Sequence, residues 1–304
     1  MKKIAFIIHG KYKSNKEFKT QLDAVFQKDF EPLYYYTETA FHSVSLTEEA
    51  IQSGAPYIIC CGGDGSLNEC ANGIMNQSKQ NKVLENITLG VLPMGTGNDF
   101  IKTISSPSNA NDLKELIIRD QFKQIDLGLA RFQDRDQKPL SRYFINITDI
   151  GIGGVVAEKL SRSSKMLGSY LTYQMSIVSS LMKYKKQPIT VTADSFSYSG
   201  EVMNFIVANG KWFGSGLGIA PDADPADGQF DIVILGGLGL KEYIRHQSNV
   251  RKCEKIIHDE IKYFRAKKIA IRSEQKLPID MDGEFVGYSP LEIEVIPGAI
   301  RFLA

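Results

Sequence analysis

The first 130 residues alternate short apolar runs with amphipathic stretches, and no other feature of the sequence restricts the fold as strongly. "KIAFII" at 3–8, "YIICC" at 57–61 and "ITLGVLP" at 87–93 have the length and composition of buried strands. Residues 15–28 instead repeat apolar side chains at the spacing of a helix. Strands that alternate with helices predict a doubly wound α/β domain with a parallel sheet.

The pattern is different in the rest of the chain. Strand-like runs at 129–150, 188–210 and 216–235 are separated by polar turns, and helical spacing is found mainly at 155–186 and 240–248. This half therefore predicts an antiparallel, all-β domain that carries a helical insertion.

The composition excludes several classes of protein. The chain has 36 Lys and Arg against 35 Asp and Glu, so it lacks the excess positive charge that would favour nucleic acid as a partner. The 304 residues, 43% of them hydrophobic, suffice for one large domain or two ordinary ones. The N-terminal apolar run is too short for a secretion signal, and no uncharged stretch is long and apolar enough to span a bilayer. We expect a cytoplasmic protein with free thiols, because no C-x-x-C pair is formed by Cys60, Cys61, Cys70 and Cys253.

A glycine-rich loop, "CGGDGSLNEC" at 61–70, follows a predicted strand and leads into a helix. Ligands of open α/β sheets bind beyond the carboxyl ends of the strands. Glycines let the backbone approach a ligand, and the N–H groups of a helix start favour phosphate. A tight strand–helix turn would contain the same glycines. The loop has neither the Lys-Ser/Thr of a Walker loop nor the G-x-G-x-x-G spacing of a dinucleotide fingerprint.

A second loop, "LPMGTGNDF" at 92–100, follows the next apolar strand and again contains glycines, a hydroxyl, an amide and an acid. Because the two loops end neighbouring strands, we expect them to face the same crevice. Thr96 is suited to bond a phosphate oxygen, whereas Asn98 and Asp99 are suited to order a metal ion or its waters. Either loop alone is compatible with a simple turn, but the two together favour a phosphate site.

The two loops together resemble those of the diacylglycerol kinase catalytic-domain family, which includes bacterial lipid kinases and is related to sphingosine and ceramide kinases. GGDG alone is also found in NAD kinases and phosphofructokinases, whereas the GTGND segment is typical of the lipid branch. Further similarity covers most of the chain, in "IDLG" at 125–128, "NITDIGIGGVV" at 146–156, "GSGLGIAPDADPADGQFDI" at 214–232, "YFRAKKIAI" at 263–271 and "DMDGE" at 280–284.

The resemblance implies a nucleotide-binding α/β domain at 1–129 and a β-sandwich lipid-substrate domain at 130–293, with a tail at about 294–304 that returns to the first domain. It implies ATP and Mg²⁺ as cofactors and a catalytic cleft between the domains. The residues that it assigns to nucleotide binding are Thr37, Gly62, Gly63, Asp64, Gly65, Ser66, Leu67, Asn68, Glu69, Thr96 and Asn98.

The first loop departs from the family. The family usually has Asn-Pro-x-Ser-Gly after the first strand, whereas this chain has His9, Gly10 and Lys11 there. The contribution of this loop to ATP binding is therefore open. The Thr that family enzymes use after the second strand is matched by Thr37, with Thr39 as an alternative.

An acidic turn, "DADPADGQF" at 222–230, is either a solvated turn between strands or a metal site. Carboxylate and carbonyl oxygens are the ligands that Mg²⁺ prefers. The resemblance implies a structural Mg²⁺ bound by the Asp227 carboxylate and by the backbone carbonyls of Asp224 and Gln229. It also implies that Asp99 and Asp126 link this ion to the cleft.

The segment "DMDGE" contains a D-G pair, which is typical of a hairpin turn. The resemblance makes Asp282 or Glu284 the acceptor of the proton from the attacking hydroxyl, and the sequence does not decide between them. A positioned carboxylate matters because a primary alcohol is not acidic enough to lose its proton before the transfer.

Residues 166–182 are uncharged, repeat apolar side chains at helical spacing and are flanked by basic residues. They predict an amphipathic helix rather than a membrane span. Such a helix could cover the core, or it could bring the protein to an anionic membrane surface. The sequence also leaves a homodimer open.

The sequence therefore predicts an ATP- and Mg²⁺-dependent kinase that phosphorylates the hydroxyl of a diacylglycerol-like or other lipid alcohol. An NAD or sugar kinase would share the GGDG loop, but the GTGND and DGE segments disfavour it. The third alternative is a nucleotide- or lipid-binding regulator without activity. The altered first loop favours it mildly, whereas it is disfavoured by the retention of Asp64, Asp99, Asp282 and Glu284.

Overall fold

The structure is a computed structural model in which the chain forms two compact units. Unit 1 comprises Met1–Ile125 and Gly298–Ala304, and unit 2 comprises Asp126–Pro297. The amphipathic helix predicted at 166–182 lies outside the described residues. None of the helices in the described ranges combines the length and apolar character that a membrane crossing requires. The described residues are 1–80, 86–162, 183–238 and 240–304.

Unit 1 contains a parallel sheet whose strand order is β2–β1–β3–β4. Its last partner is the end of the final strand, where Arg301 and Phe302 pair in parallel with Thr88 and Leu89 of β4. The four strands are β1 (Lys2–Ile8), β2 (Phe30–Tyr36), β3 (Tyr57–Gly62) and β4 (Thr88–Pro93).

Helices connect the parallel strands of unit 1, as the alternating sequence pattern predicts. They are α1 (Lys16–Phe26), α2 (His42–Gln52), α3 (Asp64–Gln80), α4 (Asp99–Ile104) and α5 (Ala110–Ile118). α1 and α5 cover the face of β1 that carries Ile4, Phe6 and Ile8. Ala5 and Ile7 point to the opposite face and are also buried, as expected for a strand covered on both sides. α2 packs against α3.

Unit 2 is built from antiparallel strands, which follow from the alternating apolar and polar residues of its sequence. The strands are β5 (Lys123–Gln133), β6 (Pro139–Phe144), β7 (Ile147–Gly151), β8 (Gln187–Ala193), β9 (Ser197–Val202), β10 (Asn204–Ala208), β11 (Trp212–Phe213), β12 (Leu217–Gly218), β13 (Phe230–Leu235), β14 (Ile261–Ala266), β15 (Lys268–Arg272), β16 (Pro278–Met281) and β17 (Glu284–Phe302). One ladder runs β14–β13–β10–β7–β16–β17. β17 also pairs with β15, which is followed by β8 and β9.

The strand β7 borders two apolar cores of unit 2. Ile150 belongs to the larger core, which also contains Phe205 and Phe230. Ile147 points to the opposite face and belongs to a second core with Ile206. Helix α6 (Ile152–Arg162) packs on β7 and β16, and α7 (Leu240–Lys252) adds the partly buried Val250 to the second core.

Candidate active site

The two glycine loops of unit 1 lie side by side at the carboxyl ends of β3 and β4. The Met94 N–H donates to the Gly62 carbonyl at 2.8 Å. A Cβ atom on Gly95 would stand 2.5 Å from the Gly63 Cα, so the two backbones meet without side chains between them. The loops therefore face one crevice, as the sequence predicts, and α3 begins in it at Asp64.

Asp64 joins the two loops through hydrogen bonds. Its carboxylate accepts the backbone N–H groups of Asp99 at 3.0 Å and Phe100 at 3.1 Å, which belong to the first turn of α4. Burial raises the pKa of the Asp64 carboxyl, and the two N–H donors oppose this shift. Asp64 thus fixes the α4 start against the GGDG loop.

Glu69 and Asn68 use their side chains within the protein. The Glu69 carboxylate accepts the N–H groups of Phe41 and Ser43, each at 3.0 Å, and so caps the start of α2. Asn68 is fully buried and its Oδ1 accepts from Asn72 at 3.1 Å. Glu69 thus joins α3 to the start of α2, the Asn68 bond lies within α3, and direct contact of either residue with a nucleotide remains a prediction.

The atypical first loop packs against the end of β2. The Gly10 N–H donates to the Thr37 Oγ1 at 2.9 Å, and a Cβ on Gly10 would stand 2.0 Å from the Thr37 carbonyl oxygen. Tyr12, in the same first loop, contacts the GTGND loop, where its hydroxyl donates to the Met94 carbonyl at 3.4 Å. Thr37, rather than Thr39, is therefore the hydroxyl residue that contacts this loop.

The GTGND loop is held by its own asparagine. Asn98 has a left-handed backbone with φ 49°. Its Oδ1 accepts from the Gly95 N–H at 3.2 Å and its Nδ2 donates to the Gly95 carbonyl at 2.9 Å. Thr96 is exposed, whereas Leu67 is buried and offers only its backbone. The first N–H groups of α3, at Gly65 and Ser66, have no acceptor within the helix and favour an anion.

In unit 2, Asp126 organises the predicted acidic turn. Its Oδ2 accepts the Gly228 N–H at 2.7 Å, and its own N–H donates to the Pro225 carbonyl at 2.6 Å. Asp99 belongs to unit 1, where its Oδ1 pairs with Lys102 at 2.7 Å.

Oxygen atoms predicted to bind Mg²⁺ in the acidic turn have partners within the protein. The Asp227 Oδ1 accepts the Gln229 N–H at 3.1 Å, and its Oδ2 pairs with the Arg265 guanidinium. The Asp224 carbonyl accepts the Asp227 N–H at 3.4 Å. Within the described ranges, no three His, Cys, Asp or Glu side chains converge as a metal site would require. Arg265 supplies positive charge to Asp227, and the ligand set Asp224, Asp227 and Gln229 remains a prediction.

The two acids of the DGE turn are held differently. The Asp282 carboxylate accepts three backbone N–H groups, those of Ile145, Asn146 and Ile147, at 2.9, 3.0 and 2.9 Å. Asp282 is 9% exposed and has a left-handed backbone with φ 50°. Glu284 lies at the start of β17, where its Oε2 pairs with Arg142 at 2.9 Å and its side chain is 35% exposed. Glu284 is therefore the more accessible acid.

Sequence reasoning missed the arginines that pair with Glu284 and Asp227. Arg142 lies 142 residues before Glu284, and Arg265 lies 38 residues after Asp227. None of the segments with family similarity contains Arg142, and no spacing along the chain indicates which acid either arginine contacts. A signal was present for Arg265, because it belongs to the family-like segment "YFRAKKIAI".

Comparison with known proteins agrees with both halves of this description. The family of the diacylglycerol kinase catalytic domain matches residues 3–130, and that of the YegS C-terminal NAD kinase beta sandwich-like domain matches residues 147–304. A diacylglycerol kinase of Bacillus subtilis (strain 168) is 30% identical over 297 residues, which are 95% of this chain and 92% of the relative. A diacylglycerol kinase of Staphylococcus carnosus (strain TM300) is 29% identical over 95% of this chain and 91% of its own length.

Solved structures share the fold. The crystal structure of a diacylglycerol kinase from Bacillus anthracis str. Sterne has a TM-score of 0.71 at 22% identity and covers 99% of this chain and 96% of its own. Yeast NADH kinase in complex with NADH has a TM-score of 0.51 at 9% identity, with 99% of this chain and 82% of its own covered. The predicted fold class, an α/β domain followed by a β-sandwich domain, is confirmed. From the family matches and the relatives that span nearly its whole length, the chain belongs to the diacylglycerol kinase family.

Proposed function

We propose that the protein is an ATP- and Mg²⁺-dependent kinase that phosphorylates the hydroxyl of a diacylglycerol-like or other lipid alcohol. The observation that carries this proposal is the junction of the two glycine loops, where Gly63 meets Gly95 and Asp64 ties α4 to the GGDG loop. Phosphoryl transfer depends mainly on positioning and electrostatic stabilisation, and a bare backbone at a helix start provides both for phosphate. The names of the curated relatives support the class of substrate.

Unit 1 binds ATP in this proposal, and unit 2 binds the lipid. Thr37, Thr96 and the 62–69 loop contact the nucleotide, with the backbone amides of Gly65 and Ser66 at its phosphates. Mg²⁺ that arrives with ATP would neutralise part of the phosphate charge. Glu284 or Asp282 accepts the proton of the lipid hydroxyl as the phosphoryl group is transferred.

An apolar cavity in unit 2 supports a lipid substrate. It has a volume of about 140 Å³ and lies between α6, α7 and the second core. Its wall is almost entirely apolar, and an apolar cavity of this size is suited to hydrocarbon rather than to water. Residues that line it include Val156, Leu217, Ile219, Leu235, Val250 and Ile256.

Peripheral contact with an anionic membrane is part of the proposal. The basic residues that flank the predicted amphipathic segment and lie within the described ranges are exposed, which suits them to lipid headgroups. Arg162 also pairs with Glu158 at 2.7 Å. These residues are Lys159, Arg162, Lys183, Lys185 and Lys186.

The test is a phosphorylation assay with labelled ATP and Mg²⁺. The purified protein is incubated with mixed micelles that contain diacylglycerol or another lipid alcohol, and in a parallel reaction with NAD. A labelled phospholipid, formed only with Mg²⁺ present, is the expected product. Labelled NADP without any labelled lipid would replace the proposal by a nucleotide kinase. ATP binding without any product would make the protein a regulator.

A further inference from the structure

Two buried aspartates lie side by side on neighbouring strands of unit 2. Asp280 of β16 is the direct register partner of Asp149 of β7. Directly opposed residues on antiparallel strands point to the same face, with Cβ atoms about 5 Å apart. Asp149 is 1% exposed and Asp280 is 8% exposed. Both point away from the larger core, which takes Ile150 and Ile279 from the same two strands.

The pair has only a few polar groups that offset its burial: the Asn204 side chain and the Gly154 N–H act on the Asp149 carboxyl, and the Gly283 N–H acts on that of Asp280. Among the described residues, however, no donor reaches the full distance and angle of a hydrogen bond to the Oδ1 and Oδ2 atoms of Asp149 or to the Oδ1 of Asp280. The ionised form of a buried carboxyl with such weak hydrogen bonds is disfavoured, and two neighbouring carboxylates disfavour each other's charge further.

Helix α6 is built to cover this pair. A Cβ on Gly153 would stand 2.1 Å from the Asp149 Oδ1, so a side chain at 153 would occupy the place of the carboxylate. A Cβ on Gly154 would stand 1.9 Å from the Pro278 carbonyl oxygen, and two adjacent glycines thus let α6 approach both strands. The acid pair is therefore enclosed between strand and helix.

The charged groups around the pair are mainly acids. Burial raises the pKa of Asp149 to about 7, against the opposing effects of the Asn204 side chain and the Gly154 N–H. Burial, followed by Asp149, Asp282 and Glu284, raises the pKa of Asp280 well above its usual range. The Tyr184 hydroxyl, another titratable group that interacts with Asp149, has a pKa raised first by burial. On α6 the charged residues are Glu158, Lys159 and Arg162, and Glu158 bonds Arg162 and Tyr288.

The pair is connected to the proposed catalytic turn. The Thr148 hydroxyl donates to the Asp280 carbonyl at 2.7 Å, and the Gly283 N–H interacts with the Asp280 carboxyl. Gly283 lies between Asp282 and Glu284. A proton gained or lost at Asp280 thus changes both a contact of the turn and the charge beside it.

We infer that Asp149 and Asp280 form a proton-holding acid pair that positions the DGE turn and limits the negative charge next to its two acids. This role rests on the proposed function of that turn, whereas the protonation of the pair does not. At neutral pH the pair retains at least one proton between its two carboxyls. When it becomes fully ionised at higher pH, repulsion displaces the turn, and turnover falls while the nucleotide loops of unit 1 keep their affinity.

The experiment first measures protonation, without any substrate. The full-length protein is labelled with ¹³C at the aspartate carboxyls, and its NMR signals are followed from pH 5 to pH 9. Asp149→Asn and Asp280→Asn identify the two signals, and Asp259→Asn, at an exposed position, is the matched control. We expect at least one of the two carboxyls to be protonated at pH 6.5. Two ionised carboxyls at that pH, or signals that shift when Mg²⁺ or Ca²⁺ is added, would overturn the inference in favour of a charged pair or a cation site.

The second measurement addresses positioning through the pH profile of lipid phosphorylation. Wild-type kcat is expected to fall above about pH 7, and Asp149→Asn is expected to move this fall to higher pH with an unchanged KM for ATP. An unchanged profile in that variant, alongside protonated carboxyls in the wild type, would remove the positioning role. If no lipid is phosphorylated at any pH, the proposed function fails, and the NMR titration still decides the protonation of the pair.

Discussion

At the scale of single residues, the two acids of the DGE turn differ in the contacts that their carboxylates make within the protein. Asp282 is fixed by three backbone N–H donors, which hold the turn against residues 145–147. Glu284 makes one salt bridge to Arg142 and is partly exposed. A proton acceptor needs an accessible oxygen, so the geometry favours Glu284 as the base and Asp282 as the residue that positions it.

Amide substitutions separate these roles. Glu284→Gln should lower kcat by roughly 10²–10⁴-fold, the range of general acid–base groups, with ATP binding and stability little changed. Asp282→Asn places an NH₂ group or a weaker acceptor against three N–H donors, so we also expect a loss of about 1–3 kcal/mol in the free energy of unfolding. Turnover at saturating ATP and lipid, ATP titration and urea unfolding measure the three quantities.

Glu292→Gln is the matched control, because Glu292 also pairs with an arginine, Arg272, but in an exposed position at 3.3 Å. It should change neither turnover nor stability by much, as is usual for exposed ion pairs. Full turnover in Glu284→Gln, with turnover lost in Asp282→Asn beyond its loss of stability, would exchange the two roles.

At the scale of elements, the strands and helices of unit 1 were accessible from the sequence, whereas its shortest helix was not. β1, β3 and β4 are apolar runs, and α1 has apolar side chains at helical spacing, so local pattern and final structure agree. α4 has only six residues and follows Asn98, whose backbone is left-handed. A sequence this short, after such a residue, is equally typical of a turn. Its start depends on Asp64, 35 residues away, which no local pattern reveals.

The acid pair of unit 2 was inaccessible for a similar reason. "NITDIGIGGVV" and "DMDGE" each show an aspartate in a strand-like segment, but only the register of β7 against β16 opposes Asp149 to Asp280. That register joins residues 131 positions apart. The spacing of residues along the chain could not supply it.

The contact between the glycine loops predicts a specific defect. Gly95→Ala would place a methyl group 2.5 Å from the Gly63 Cα. Because both the substituted residue and its neighbour at this contact are backbone atoms, the clash can be relieved only if the two loops move apart. We expect ATP binding to weaken by roughly tenfold to a hundredfold, because small displacements of a positioned site have effects of that size. Calorimetric titration with ATP measures the affinity.

Gly54→Ala is the control for a general loss of stability. Gly54 follows α2, has φ 85° and has open space around its Cα, so alanine there costs only backbone strain of about 1–2 kcal/mol. It should lower the melting temperature without weakening ATP binding. Equal ATP affinity in Gly95→Ala and wild type would mean that the loop junction is a structural turn.

Helix α7 offers a test of the apolar cavity. Val250 lines the cavity, so Val250→Trp should fill part of it. Excluding two methylene groups of a lipid chain would cost about 1.6 kcal/mol, or roughly fifteenfold in the KM for lipid, with the KM for ATP unchanged. Ile244→Trp, on the same helix but 63% exposed, is the matched control. Identical lipid kinetics in both variants would place the acyl chain elsewhere.

At the scale of the whole molecule, the acids with raised pKa values are concentrated in unit 2. Burial raises the pKa of Asp149 to about 7 and that of Asp231 to about 6, and it raises the pKa of Asp280 well above its usual range. Each of these carboxyls keeps its proton in the folded state at a pH where the unfolded chain has lost it. The free energy of unfolding therefore depends on pH, and the dependence belongs mainly to unit 2.

The sign follows from proton counting. Above about pH 4 the unfolded chain binds fewer protons than the native state, so stability falls as pH rises, by about 1.4 kcal/mol per pH unit for each such acid. The decrease should be steepest from pH 5 to 6, where Asp231, Asp149 and Asp280 all contribute, and shallower from pH 6 to 7, where Asp231 no longer does. Asp194 and Glu38, whose pKa values are lowered, act in the opposite direction only near pH 4 and below.

Trp212 allows this prediction to be measured for unit 2 itself, because it is the one tryptophan of the chain and lies in β11. Urea unfolding followed by its fluorescence at pH 5, 6, 7 and 8 should give midpoints that fall with pH. Asp231→Asn should remove much of the decrease below pH 6 and leave the decrease above it, since Asp149 still titrates there. Midpoints that stay constant or rise between pH 5 and 7 would mean that these acids are ionised in the folded state, with partners that offset their burial.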